Sequence, residues 1–314
     1  MLIQQLGDRD VVIQSQASQK LIDMGADVAP LLLTLLEALD RLEVLDSNNL
    51  QILLSVMNIL GKIGKNDSSV TDDIRSGIVK LLDNKNMGIR RFAISILGRL
   101  GETDENTVAI LKEILINHRD DMFRRSAYDA LVNINTEGAR QAIIASDNAT
   151  AIREVIKGWG DALETENITR YMRLFWADGF HYISDDIEFD NIQQEREAIS
   201  CFFGRFGDIM IRMSTPLPVK FISNTSATTG MYYEIIAFGA GGSLQQGFTG
   251  IYIADKSEVL LELRENEWSK AKEWRIVEWA DKSRKDIREL IEAKKRGYEG
   301  KFLTTPGEIR DCKL

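Results

Sequence analysis

Two pairs of adjacent arginines are the groups in this sequence best suited to binding a charged partner. The four residues are Arg90, Arg91, Arg124 and Arg125. Guanidinium groups form paired hydrogen bonds with carboxylates, so a ladder of them could bind an acidic protein surface. The same arginines could instead bridge to carboxylates of neighbouring helices, such as Asp83, Asp120 and Asp121. The second interpretation is favoured, because the pairs recur 34 residues apart, and charges at the junctions of a repeated structure usually stabilise its packing.

The cysteines and histidines do not indicate a metal centre. Cys201 and Cys312 lie far apart in the sequence and neither belongs to a CxxC motif. This spacing predicts neither a disulfide framework nor a zinc site. With His118 and His181 as the only histidines, a histidine-rich metal site is also ruled out. We therefore predict no metal and no cofactor.

Length and charge narrow the class of protein. At 314 residues the chain is long for one domain and sufficient for two, each with its own core. The formal net charge of −9 argues against a nucleic-acid partner, since phosphate binding needs a basic surface. No apolar run reaches the length of a membrane span, and the first residues lack a basic segment followed by an apolar one. We expect a cytoplasmic protein.

The first half of the chain contains a repeated phrase. Four stretches end in the same way, at Gly25, Gly64, Gly101 and Asn135, about 34–39 residues apart. In the third copy the apolar positions recur at helical spacing, which predicts an amphipathic helix. These positions are Ile89, Phe92, Ala93, Ile96, Leu97 and Leu100. Gly101 suits the end of that helix, and Asp104 is placed to cap the next one. We expect Leu97 to be buried.

The repeated phrase resembles HEAT repeats, in particular the short kind of phycobilisome-lyase-like proteins. It consists of Asn or Asp, three residues later Ile or Phe, then Arg-Arg-x-Ala, and at the end Leu or Ile before Gly or Asn. The resemblance covers residues 1–147 and implies an all-α HEAT-type solenoid that binds a protein partner. Bilin-lyase activity follows by analogy alone. The first copy departs from the pattern because it lacks the arginine pair.

The pattern changes after about residue 149. Helical spacing continues through Ile152, Ile156 and Trp159, through a second helix over 168–176, and through a third over 194–206. Strand patterns follow over 180–183, 219–223, 228–238, 247–254, 258–264 and 274–279, with a glycine-rich hairpin loop at 239–242. Helices followed by consecutive strands predict an α+β domain over 149–281. Residues 282–314 are predicted to form a C-terminal helix, over 282–296, and a polar tail.

The order of elements in 149–281 resembles the nuclear-transport-factor-2-like superfamily, including SnoaL-like proteins. The resemblance rests on the helix with Trp159, on Gly250-Ile251-Tyr252 and on the closing stretch from Trp274 to Val277. It implies an α+β cone, with three helices on a curved antiparallel sheet that encloses a pocket. Enzymes of the superfamily place an Asp or His base opposite a Tyr or Asp acid. Candidates to line such a pocket are Tyr171, Trp176, His181, Tyr182 and Tyr233, with Asp185 and Asp186 in a loop.

The functional hypotheses follow from these two resemblances. We favour a non-enzymatic scaffold, in which the solenoid binds a protein and the cone dimerises or holds a small ligand. The alternatives are a SnoaL-like isomerase, dehydratase or cyclase, and a ligand sensor without chemistry. No position matches a catalytic motif, so we predict no catalytic residue. The strand from Met231 to Phe238 does not alternate apolar and polar residues, which predicts a sheet covered on both faces. A homodimer is the favoured cover, before the solenoid or the C-terminal helix.

Overall fold

The computed structural model describes residues 1–42, 46–101, 105–184, 187–214, 217–239, 249–282 and 301–303. The chain divides into two compact units, Met1–Ser146 and Asp147–Leu314. Among the described residues, no helix is both long enough and apolar enough to cross a membrane. Several predictions fall outside the described part: the cap Asp104, the carboxylates Asp185 and Asp186, the loop after Gly239, and the helix over 282–296 apart from Lys282.

The regular elements of the first unit are helical throughout its described residues. The α-helices are α1 (Leu2–Gln5), α2 (Val11–Asp23), α3 (Ala29–Asp40), α4 (Ser47–Asn66), α5 (Thr71–Lys80), α6 (Met87–Leu100), α7 (Glu105–Asn117), α8 (Asp121–Ile134) and the start of α9 (Glu137–Glu164). Short 3-10 turns cover Gly25–Asp27 and Leu81–Asp83. This agrees with the helices that the repeated phrase predicts.

Small residues allow the helices of the first unit to pack closely. Helix α4 packs on α2 and α6, and α6 packs in turn on α8. A Cβ atom on Gly98 would lie 2.6 Å from the Cα atom of Ala130, which no real side chain tolerates. Leu97, on the same helix, has no exposed surface, as its position in the apolar pattern predicts. Glycine at 98 therefore sets the distance between α6 and α8.

The helix ends explain most of the repeated phrase. Asn86 and Asp120 cap α6 and α8, each accepting a hydrogen bond from a backbone N–H of the first turn. The helices end at Gly101 and Asn135, which have positive φ angles of 76° and 51°. The predicted helix end at Gly64 is wrong, because α4 continues to Asn66. Gly64 is instead a packing position, where a Cβ atom would lie 2.8 Å from Leu100.

The second unit combines helices with one sheet. Its helices are the remainder of α9, α10 (Ile168–Met172) and α11 (Ile192–Arg205), and its strands are β1 (His181–Ile183), β2 (Glu188–Phe189), β3 (Phe206–Met213), β4 (Lys220–Ser223), β5 (Ser226–Gly239), β6 (Thr249–Glu265), β7 (Lys272–Lys282) and β8 (Lys301–Leu303). The two strands predicted over 247–254 and 258–264 are one continuous strand, β6. The sequence analysis missed β3, and the polar tail contributes β8.

The sheet is mixed, which corrects the prediction of an antiparallel sheet. Its strands lie in the order β2-β1-β7-β6-β5-β3, with β4 on β5 and β8 on β6. Strand β1 runs parallel to β7, and β8 runs parallel to β6. The remaining pairs are antiparallel. The direction of a pair that is distant in sequence depends on the path of the chain, and local residue patterns do not record it.

Helix α9 belongs to both units. The sequence analysis begins the helix of the second domain near residue 149, whereas α9 runs without interruption from Glu137 to Glu164. No glycine or proline occurs between Ala139 and Lys157, so nothing in the sequence ends the helix at the predicted boundary.

Burial alternates along β5 although polarity does not. The buried positions are Ala227, Thr229, Met231, Tyr233, Ile235 and Ala237, and the positions between them are half-exposed, apart from the buried Gly230. The buried face packs on α9, where Trp159 contacts the rings of Tyr233 and Trp279. The outward side chains of β5 are half-exposed in the described chain, and the predicted cover of this face by a second copy stays a prediction.

The substitution Leu97→Ala tests the packing of the first unit. It removes a buried side chain between close-packed helices, so we expect it to lower the free energy of unfolding by roughly 2–5 kcal/mol. Ser95→Ala, at an exposed position of the same helix, is the control and should change it by less than about 0.5 kcal/mol. Urea unfolding followed by circular dichroism measures both, and equal effects would contradict the assigned helix face.

Candidate functional site

The first arginine of each pair forms a hydrogen bond with the backbone at the end of the helical segment that precedes its own helix. Arg90 donates from Nη1 to the backbone oxygen of Asn84 at 2.7 Å, and Arg124 donates from Nη1 to that of His118 at 2.6 Å. These oxygens lie at or just after the end of the previous helical segment, where carbonyls lack partners within the helix. A cation is favourable there, so both arginines fasten the turn between consecutive helices.

The further contacts of the arginines in this part of the chain vary. Arg140 repeats the same contact, donating from Nη1 to the backbone oxygen of Asn135 at 3.0 Å. Arg124 also forms an ion pair with Asp121 of its own helix. Arg125 is exposed, and the buried Nε of Arg91 has no hydrogen-bond partner among the described residues. The repeat arginines thus contact backbone carbonyls more than the neighbouring carboxylates expected from the sequence.

A groove of about 650 Å³ lies between the helices of the first unit. Its walls are mainly apolar and come from the end of α5, from α6, α7 and the start of α8. The lining residues are Val79, Leu82, Asp83, Arg90, Ile94, Ala109, Ile110, Glu113, Ile114, His118 and Phe123. A second, smaller cavity of about 380 Å³ lies beside Phe92 and α4. The larger groove has the size and lining of a typical binding site.

At one end of the groove, two polar side chains contact the ring of Phe123. The guanidinium carbon of Arg90 lies 5.1 Å from the centre of the Phe123 ring, and the His118 ring stacks on Phe123 at 4.3 Å. His118 accepts a hydrogen bond at Nδ1 from the backbone N–H of Asp120, so its neutral form carries the proton on Nε2. Arg90 is therefore both a structural residue of the turn and part of the groove wall.

Two of the predicted pocket residues in the second unit are buried and bonded to carboxylates. The hydroxyl of Tyr171 donates to Glu195 at 2.6 Å, and both residues are 1% exposed. The hydroxyl of Tyr182 donates to Asp281 at 2.9 Å. Asp281 also accepts from Ser257 Oγ at 2.5 Å and from Trp279 Nε1 at 2.7 Å. Three donors satisfy most of the acceptor sites of this buried carboxylate.

Trp176 and Tyr233 are also held by protein contacts. The indole N–H of Trp176 donates to the backbone oxygen of Glu262 at 2.9 Å. The guanidinium of Arg275 lies over the Trp176 ring at 4.4 Å and is hydrogen-bonded to Glu273, which lowers the pKa of the Glu273 carboxyl. Tyr233 is buried with its ring edge against Trp159. Tyr171, Trp176, Tyr182 and Tyr233 thus each contact protein groups, and the idea that they line one pocket stays a prediction.

His181 belongs to a separate cluster on the β1–β2 hairpin. Its Nε2 lies 2.9 Å from Glu188 Oε1 and 4.0 Å from Asp190 Oδ1. The sequence analysis missed both carboxylates, because their position opposite His181 depends on how the hairpin folds. The carboxylates Glu195 and Asp281 were missed as well, because both lie among polar and charged residues and look like ordinary surface positions.

Cys201, in α11, is disulfide-bonded, which contradicts the prediction from cysteine spacing. Cys312, the other cysteine of the sequence, lies outside the described residues. Disulfides are typical of oxidising compartments and rare in the cytoplasm. The cytoplasmic location is not tested by any other observation and stays a prediction.

Comparison with known proteins shows similarity over part of the chain only. No family model matches the sequence, and no curated protein matches it significantly. Among solved structures, it is similar to a LinA-type3 hexachlorocyclohexane dehydrochlorinase from Novosphingobium barchaimii, with 13% identity over 43% of this chain and 85% of that one and a TM-score of 0.35.

Two further structures are similar over a comparable share of the chain. An NTF-2 like protein of unknown function from Shewanella oneidensis has 14% identity over 43% of this chain and 99% of that one, with a TM-score of 0.30. A protein with a cystatin-like fold from Nostoc punctiforme has 10% identity over 44% of this chain and 92% of that one, with a TM-score of 0.33.

The substitution Tyr182→Phe tests the bonds to Asp281. It removes one donor from a buried carboxylate, so we expect the second unit to lose about 1–3 kcal/mol of stability. Tyr128→Phe, at an exposed tyrosine of α8, is the control and should change stability by less than about 0.5 kcal/mol. Thermal unfolding of both variants decides, and an unchanged Tyr182→Phe protein would contradict the assigned bond.

Proposed function

We propose that this protein is a non-enzymatic adaptor whose first unit, a HEAT-type solenoid, binds a protein partner in the groove beside Phe123. The observation that carries the proposal is the groove itself, a mainly apolar cavity of about 650 Å³ between packed helices. The second unit, in this proposal, is a cone of the nuclear-transport-factor-2-like kind that supports dimerisation.

The lining of the groove suits the apolar face of a partner segment. Ile110 and Ile114 provide partly exposed apolar walls on α7, with the buried Ile94 of α6 beneath them, and Ala109 is an exposed small residue beside them. Binding of apolar side chains in such a groove releases water from both surfaces, which is the main source of affinity in helix-in-groove complexes. Arg90 and Glu113 line the same groove and offer one charge of each sign to orient the segment.

The contacts in the second unit support a role without chemistry. A general acid or base must reach the substrate, but Tyr171 and Tyr182 each donate to a buried carboxylate of the protein. Reorganising either pair would leave a buried carboxylate with fewer donors, which is costly.

The alternative is a SnoaL-like enzyme, which would use the same two pairs for chemistry. Tyrosine beside a buried carboxylate is a combination that acid–base catalysis uses, and Glu195 is only 1% exposed. A crystal structure with a small organic molecule bound against Tyr171 or Tyr182 would favour the enzyme over the adaptor.

A homodimer through the outward face of the sheet is part of the proposal. Met210 on β3 is 50% exposed and lies opposite Ile236 on β5, and Tyr232 is half-exposed on the same face of β5. A second copy of the sheet would cover these apolar side chains.

Site-specific photo-crosslinking tests the partner groove. A benzoylphenylalanine at Ala109, on the groove, should give one adduct of defined mass in cells that produce the protein naturally. The control position is Asn106, which is exposed on the same helix and does not line the groove. We expect no such adduct from position 106, because the partner contacts the groove only.

A second substitution makes this test specific. Ile110→Glu places a charge in the apolar wall and should abolish the adduct formed from position 109, with the circular dichroism spectrum unchanged. Equal adducts from both positions, or an adduct that persists in the Ile110→Glu protein, would argue against a partner in the groove.

Light scattering of the full chain tests the dimer. We expect the unmodified protein to be a dimer at micromolar concentration and Ile236→Lys to be a monomer, because a lysine would desolvate in the interface. Thr228→Lys, at a half-exposed position on the same face of β5 away from Met210, should stay dimeric. A monomeric unmodified protein would refute this arrangement.

A further inference from the structure

The β1–β2 hairpin carries three potential metal ligands on one face. Tyr182 pairs with Phe189, and Ile183 pairs with Glu188. Because side chains alternate along a strand, His181 lies on the same face as Ile183, and Asp190 lies on the same face as Glu188. Tyr182 and Phe189 lie on the opposite face, where their rings are in contact. The hairpin thus separates an aromatic face from a face with an imidazole and two carboxylates.

The distances between these ligands are close to those of a coordination sphere. His181 Nε2 is 2.9 Å from Glu188 Oε1 and 4.0 Å from Asp190 Oδ1, and the ligand atoms all lie within 4.8 Å of one another. Ligand bonds of about 2.0–2.2 Å put neighbouring ligand atoms about 3 Å apart. The side chains of Glu188 and Asp190 are 58% and 85% exposed, so rotation alone can bring them closer.

His181 lies in β1, which has a neighbouring strand on each side, whereas Glu188 and Asp190 lie in or directly after the outermost strand β2. His181 lies beside Glu278 of β7, and the next residue, Tyr182, is buried and bonded to Asp281. Strand β2 contains two residues and lies at the end of the sheet. A cation would join this short edge strand to a fixed neighbour, and two ladder pairs alone hold it weakly.

We propose that His181, Glu188 and Asp190 bind a divalent first-row transition metal such as Mn²⁺ or Zn²⁺. An imidazole ligand favours these ions over Mg²⁺ and Ca²⁺, which prefer oxygen ligands alone. Three protein ligands leave further positions for water, and the exposure of the carboxylates gives the ion access from solvent. The competing explanation is a plain ion pair between protonated His181 and Glu188, which needs no metal.

The two histidines of the chain make the site testable by proton NMR. Each imidazole gives a separate Hε1 signal, and a bound Mn²⁺ broadens only the signal near it. His118→Ala leaves His181, whose signal should broaden at substoichiometric Mn²⁺, and His181→Ala leaves His118, whose signal should stay sharp. Loss of the first effect, or equal broadening of both signals, would overturn the proposal in favour of the ion pair or of unspecific binding.

Calorimetric titration with Zn²⁺ and Mn²⁺ provides the second measurement. Loss of a residue that only supports a metal ligand commonly weakens metal binding about 10–100-fold. Asp190 is itself a ligand in this proposal, so Asp190→Asn should weaken binding at least roughly tenfold. Asp190 is so exposed that this substitution leaves the fold intact, which circular dichroism verifies. Glu267→Gln, an exposed acidic residue of the β6–β7 connection, should bind like the unmodified protein. Equal affinity of Asp190→Asn and Glu267→Gln would refute the site.

Discussion

The buried carboxylate of Asp281 positions much of the second unit. Its three donors come from β1, β6 and β7, so one side chain fixes the relative positions of three adjacent strands. Burying a carboxylate is costly unless its oxygens are hydrogen-bonded, and this cost disfavours other registers of β1. The donor Trp279 also stacks on Trp159 at 4.8 Å, which connects the same network to α9. The hairpin with His181 depends on this arrangement through Tyr182.

The first unit depends on contacts of a different kind, which are repeated along the chain. An arginine of the helix bonds to carbonyls of the preceding turn, and a polar residue caps the start of the same helix. The spacing of these residues places each helix relative to the one before it. Arg90 has a second role, because its guanidinium also lies over the ring of Phe123 and forms part of the end of the groove. A residue that stabilises the packing of the helices is thereby also part of the groove wall.

Local patterns in the sequence predicted those features that local physics determines. The stripe from Ile89 to Leu100 is a helix with Leu97 buried, and Gly101 and Asn135 end their helices with positive φ angles. The helix end predicted at Gly64 is wrong, because a glycine needed for close packing has no sequence signature distinct from one that ends a helix. The parallel pairing of β1 with β7 and the continuous strand β6 depend on distant partners, which periodicity does not contain.

The candidate site residues divide in the same way. Tyr171 and Tyr182 were recognisable as residues that could do chemistry, but their carboxylate partners lie far from them in sequence. His181 was recognisable as a single histidine, and its neighbours follow only once β1 and β2 are paired. The groove beside Phe123 was not predicted, because it is a space between helices and no residue pattern marks a space.

The shortness of β2 has a consequence for the behaviour of the protein in concentrated solution. An outermost strand presents free backbone groups to which a strand from another molecule can add, and long apolar strands of this kind promote aggregation. Here the outermost strand has two residues and carries Glu188, with Asp190 directly after it. Two such edges brought together would place like charges side by side with few backbone bonds in return. The acidic hairpin thus protects this side of the sheet from growing into a fibre.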